Sequence, residues 1–141
     1  MATIEATTAR GDYAEVRALV VEDNDFVRDL VASQLKQIGF TRIETAPHGE
    51  AALKIVDEET PGLMICDINM EPMGGFELIT RLRDKGRTGG DRIPTIMLSS
   101  HAVPEFIDRA RALEVDAFLV KPVKKDALAE RIRTVLQRKP G

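Results

Sequence analysis

The chain switches repeatedly between two apolar spacings. The runs "VRALVV" (16–21), "RIETA" (42–46), "LMIC" (63–66), "IPTIML" (93–98) and "AFLV" (117–120) are short, all but "RIETA" mostly apolar, and predict strands. Between them, apolar residues recur three and four apart. In "EDNDFVRDLVASQLKQIGF", Val27, Leu30, Val31, Leu35 and Ile38 share one helical face; Asn24 or Asp25 can cap its start and Gly39 its end. Ala52, Ile55 and Val56 line a helix in "GEAALKIVDEE", which Pro61-Gly62 breaks. Leu78, Ile79 and Leu82 line a third in "GGFELITRLRDK". "VPEFIDRARALE" is a fourth, with Pro104 tolerated in its first turn, and Leu128, Ile132, Val135 and Leu136 line the last, "KKDALAERIRTVLQRK". "GRTGGDR" (86–92) reads as a loop.

Five strands alternating with five helices predict an α/β protein with a parallel sheet covered on both faces. Right-handed crossovers make it doubly wound. Residues 1–14 lack apolar periodicity and read as a flexible tail, 15–138 as one domain, and 139–141 as a short C-terminal tail, with no second domain predicted. Terminal "QRKPG" also suits the start of a linker to a larger protein.

Composition narrows the function classes. The 141 residues are 43% hydrophobic and 30% charged with net charge −3, which predicts no bulk attraction to nucleic acid or anionic membrane. One cysteine and two histidines make neither a disulfide framework nor a zinc site. No apolar run approaches the roughly 18 residues of a membrane span, and the N-terminus has no signal-peptide core, so a cytoplasmic location is expected. From 121 to 139, seven basic residues stand against two acidic ones; because this helix must bury its other face, a solvated face is preferred to DNA binding.

In open α/β sheets, ligands sit outside the carboxyl ends of the strands. Here the first strand ends in Glu22-Asp23, the third in Asp67, the fourth in Ser99-Ser100 and the fifth in Lys121-Pro122. Converging carboxylates need a cation, and an oxygen-only donor set without His or Cys suits Mg²⁺. With a lysine added, the site attracts a phosphoryl group, and a carboxylate can itself be the nucleophile.

The motifs "LVVEDND", "MICDINMEPMGGFEL", "PTIMLSS" and "FLVKPV" resemble the receiver domains of two-component response regulators, similar to CheY, from about Val16 to Gln137. The resemblance implies a flavodoxin-like (βα)5 fold with strand order 2-1-3-4-5. Asp67 would be the phosphoacceptor, and Glu22 and Asp23 the acidic pair that holds Mg²⁺ together with Asp67 and the Asn69 backbone carbonyl. Ser99 would be the switch hydroxyl, Lys121 the partner of the phosphoryl oxygens and Phe118 the switch aromatic. Pro122 would follow a cis peptide bond. Asn69 and His101 would occupy the positions that influence dephosphorylation in the family. The implied partners are a sensor histidine kinase or histidine phosphotransfer protein upstream and a protein effector on the fourth helix, fifth strand and fifth helix downstream. Direct nucleic-acid and membrane binding are not expected, nor is enzyme activity beyond self-phosphorylation and self-dephosphorylation. The chain would be a monomer or a phosphorylation-dependent dimer.

Four departures from the family pattern are visible, the fourth at Phe118. Proline stands at Pro72 with Glu71 in the commoner proline position, Gly74 replaces an Asp or Asn, and Glu114 replaces a helix-ending glycine. Gly74-Gly75 predicts a loose loop beside Asp67, and Glu114 predicts a helix that ends without a left-handed residue. Phe118, where tyrosine is common, offers no hydroxyl. Cys66 reads as a small buried strand residue and His48 as a surface residue at a helix start. The alternative is a Mg²⁺-dependent phosphatase of the haloacid dehalogenase type, which also uses an aspartyl nucleophile but carries D-x-D on its first strand, where this chain has "VVEDN".

Overall fold

The computed structural model describes residues 13–84 and 93–137. Its elements run β1 (Arg17–Val21), α1 (Asp25–Ile38), β2 (Arg42–Ala46), α2 (Gly49–Glu58), β3 (Leu63–Asp67), α3 (Gly75–Leu82), β4 (Thr95–Ser99), α4 (Pro104–Ala112), β5 (Ala117–Val120) and α5 (Lys125–Gln137). All four strand pairings are parallel and the order is β2-β1-β3-β4-β5, so the doubly wound prediction holds. The predicted loop at 86–92 lies outside the described residues, as do residues 1–12 of the predicted tail. Tyr13, at the tail's end, stacks on Phe40 with ring centroids 4.8 Å apart.

Period-two alternation divides the core. Leu19, Val21, Met64, Cys66 and Met97 point to the α2, α3 and α4 side, whereas Ala18, Val20, Leu63, Ile65, Ile96 and Leu98 point to the α1 and α5 side. The central strand β3 is buried along its whole length, which is why it reads as an unbroken apolar run. In α5, Leu128, Ile132 and Val135 are buried while Lys125, Arg131 and Arg133 are exposed, so the basic residues form a solvated face over an apolar seam. Among the described residues, no helix is long and apolar enough to cross a membrane.

Local chemistry sets the helix ends. The Asn24 side chain caps α1 by accepting from the Val27 N–H at 2.9 Å, and Gly39 ends it at φ 134°. His48 caps α2: its Nδ1 accepts from the Ala51 N–H at 3.2 Å. The end of α4 overturns the expectation for Glu114, which does adopt the left-handed conformation, φ 59°. The Val115 N–H bonds the Ala110 carbonyl at 2.9 Å and the Glu114 N–H bonds Arg111 at 3.0 Å, the paired bonds of a Schellman motif. An Arg83 guanidinium bond to the Leu113 carbonyl fixes the same turn from α3. These bonds hold the turn in the shape a glycine would take and override the side-chain penalty.

Candidate functional site

The carboxyl edge of the sheet gathers the predicted residues. Each arrives where an apolar strand stops: Glu22 and Asp23 after β1, Asp67 as the last residue of β3, Ser99 as the last of β4, and Lys121 directly after β5. Carboxylate oxygens of Glu22, Asp23 and Asp67 lie within 4.8 Å of one another. The Lys121 ammonium bridges two of them, 3.0 Å from Glu22 Oε1 and 3.1 Å from Asp67 Oδ1. Asp23 is exposed, while Glu22 and Asp67 are buried.

Burial pushes the Asp67 carboxyl above the ordinary carboxylate range and the Asp23 charge adds to this; Lys121 and the Asn69 backbone N–H pull back without prevailing. Burial likewise raises Glu22, with the Asp67 charge adding to the rise. Burial pulls the Lys121 ammonium down, but its ion pairs with Glu22 and Asp67 outweigh this and hold it above its usual value. The pocket therefore carries more anion than one lysine neutralises. Although Glu22 Oε1 faces the ammonium, it is buried with no hydrogen bond in acceptable geometry. A buried oxygen short of donors, within reach of two further carboxylates, fits a hard divalent cation; Glu22, Asp23 and Asp67 are the residues able to hold it.

The loops around the site are braced by residues that patterning alone did not single out. Arg28 donates to the Glu22 carbonyl at 3.0 Å and to Asp25 Oδ1 at 2.6 Å, tying the end of β1 to the start of α1. The Asn24 N–H holds Glu22 Oε2 at 3.1 Å. The i, i+3 spacing of Asp25 and Arg28 is the only sequence hint of this brace. The Ser99 hydroxyl donates to the His101 carbonyl at 2.6 Å and accepts from the His101 N–H at 3.1 Å, so it is engaged by its own loop. His101 therefore meets Ser99 through its backbone, and its side chain is exposed. Phe118 is half-buried beside the α2–α4 core, opposite Met97 in the register. Cys66 is fully buried and burial drives its thiol pKa upward, as a structural strand residue requires. Both Glu71-Pro72 and Lys121-Pro122 are cis.

The doubled glycine corrects the expectation of a loose loop. A Cβ at Gly75 would come well inside 3.0 Å of the Asp67 carbonyl oxygen and to 2.9 Å from Met97 Cε. The Gly75 N–H instead bonds the Ile68 carbonyl at 2.8 Å and closes the loop between them. Gly75 is thus required by close backbone approach rather than by freedom to move.

A family model described as the response regulator receiver domain matches residues 18–133. This chain belongs to the response regulator receiver family. The receiver is similar to the transcriptional regulatory protein AfsQ1 of Streptomyces coelicolor, 37% identical over 122 residues, 85% of this chain and 51% of the relative. It is 38% identical over 126 residues to an uncharacterized 14.6 kDa protein of Leptolyngbya boryana, covering 88% of this chain and 90% of that one. Among solved structures, chemotaxis protein CheY4 of Vibrio cholerae superposes with a TM-score of 0.78 at 28% identity, covering 85% of this chain and 98% of CheY4. The chain spans about half the length of AfsQ1 and of several other relatives it matches. The receiver is a domain of two-component signalling, and the phosphatase alternative is set aside by the family match.

Proposed function

We propose that this receiver accepts a phosphoryl group on Asp67 from the phosphohistidine of a sensor kinase or phosphotransfer protein, with Mg²⁺ held by Glu22, Asp23, Asp67 and the Asn69 carbonyl. The observation that carries the reading is the Asp67 carboxylate at the end of β3, 3.1 Å from the Lys121 ammonium and inside a cluster of three carboxylates. An Asp67 oxygen attacks phosphorus, the P–N bond to the donor imidazole breaks with its electron pair staying on nitrogen, and an aspartyl phosphate forms. The cation, when bound, supplies charge neutralisation for the phosphoryl oxygens. Lys121 contributes a fixed positive charge at the same place. Hydrolysis later cleaves the P–O bond with water and releases inorganic phosphate, and the exposed side chains of Asn69 and His101 tune that step.

The output follows from Ser99. Its hydroxyl is bound to the His101 backbone, and a phosphoryl group on Asp67 competes for it. Release from His101 and inward movement of Phe118 would shift the population toward a second arrangement of α4, β5 and α5, where a protein effector binds. Incubating the chain with acetyl phosphate and Mg²⁺ and measuring intact mass tests the reading. A single phosphoryl adduct is expected on the wild type and none on Asp67→Asn. An adduct of equal yield on the variant would overturn it.

A further inference from the structure

One buried residue of α1 is not explained by its surroundings. Gln34 is 8% exposed and lies on the helix face that supplies Val31 and Leu35 to the α1–α5 core. Its Nε2 donates to the Val123 carbonyl at 3.0 Å, across 89 residues of chain. Its Oε1 is buried with no hydrogen-bond partner. A methionine or leucine would fill the same space and remove the unpaired Oε1, but would leave the Val123 carbonyl without this donor. What the amide adds is the bond to Val123.

Val123 stands two residues beyond Lys121, in the loop between β5 and α5. The α5 ladder starts from the Lys124 carbonyl, which takes the Leu128 N–H at 2.9 Å, so the Val123 carbonyl is a loop acceptor. At the other end of the loop, the Lys121 N–H is tied to the Ser99 carbonyl at 2.8 Å. The segment that carries the ammonium is therefore held from both sides, by β4 before it and by α1 after it.

We propose that Gln34 is a positioning residue for Lys121: its amide fixes the β5–α5 loop so that the ammonium stands between Glu22 and Asp67. The inference rests on the reading of Asp67 as phosphoacceptor. Without the anchor, two effects of opposite sign follow. Phosphoryl transfer slows, because a displaced charge no longer meets the phosphoryl oxygens. Mg²⁺ binds more tightly, because the ammonium no longer competes for the same carboxylates. A general loss of packing produces neither effect.

The test uses the full chain and the variants Gln34→Met and Gln34→Leu, with Val31→Ala as a packing comparison on the same helix face. Urea midpoint, Mg²⁺ affinity by calorimetry without phosphodonor, and the rate of phosphorylation by acetyl phosphate are measured. For both Gln34 variants, an Mg²⁺ Kd about threefold lower and a phosphorylation rate about tenfold lower are expected while the chain is folded. Val31→Ala should lower the midpoint and leave affinity and rate unchanged while the chain is folded. Wild-type affinity and rate in the Gln34 variants would overturn the proposal. If the wild type takes no phosphoryl group, the phosphoacceptor reading fails, whereas the Mg²⁺ affinities still decide whether Gln34 sets the position of Lys121.

Discussion

Replacing Gly75 with alanine isolates the contact that joins α3 to the end of β3. The new Cβ would press on the Asp67 carbonyl oxygen, on Met97 Cε at 2.9 Å and on Ile68 Cα at 3.0 Å. The methionine tip can swing aside. The two backbone atoms can move only by displacing Asp67 itself or by stretching the 2.8 Å bond from the Gly75 N–H to Ile68. Overpacking against a fixed neighbour costs about 1–3 kcal/mol, and a weakened buried hydrogen bond adds about 1 kcal/mol. Alanine returns about 0.4–1 kcal/mol by restricting the unfolded chain. The expected net destabilisation is about 1–3.5 kcal/mol, and with a urea slope of about 2 kcal/mol/M the midpoint falls by about 0.5–2 M. Far-UV circular dichroism reads the transition, since the chain has no tryptophan. Gly74→Ala is the control: its φ of −76° suits any residue and its Cβ meets only the Ile68 carbonyl, at 3.2 Å. It should unfold within about 0.5 kcal/mol of wild type. If the two variants unfold at the same urea concentration, the close-approach account of Gly75 is wrong.

Three further outcomes are expected. Glu114→Gly should stabilise the chain by about 0.5–1 kcal/mol in urea unfolding, because relief of the left-handed strain (about 1–2 kcal/mol) exceeds the added glycine entropy; a destabilised variant would refute it. Asp67→Asn should raise the Tm at pH 7 without Mg²⁺. The raised carboxyl binds its proton more tightly folded than unfolded, so its contribution is favourable below its ordinary value of 3.8 and is lost as pH rises through the raised one. The variant's advantage should therefore be absent near pH 3, grow toward neutrality and shrink when Mg²⁺ is added; an advantage that is flat with pH would contradict the cause assigned. His101→Ala should leave stability within about 0.5 kcal/mol, since its backbone holds Ser99, and lengthen the aspartyl phosphate half-life about threefold; an unchanged half-life would remove His101 from the dephosphorylation step.

The gathering of the candidate site residues was legible because each of them ends a strand. Glu22, Asp67, Ser99 and Lys121 all follow apolar runs, and the rule that parallel sheets bind ligands at their carboxyl edge brings such residues together before any distance is known. The braces were not legible. Arg28 acts on a carbonyl six residues back and Gln34 on one 89 residues ahead, and backbone acceptors leave no mark in the side-chain pattern. The same limit explains the two reversals. A glycine next to Asp67 reads as freedom when only the local chain is considered, and as a close contact once Asp67 and Met97 occupy the space its side chain would need. Glu114 reads as a poor end for α4, yet the Val115 and Arg83 bonds hold the turn regardless. Local propensity lost in both cases to a partner distant in sequence. At Gly75 that partner is the backbone of the residue that would carry the phosphoryl group, so a change in Asp67 geometry meets α3 with no compressible side chain between them.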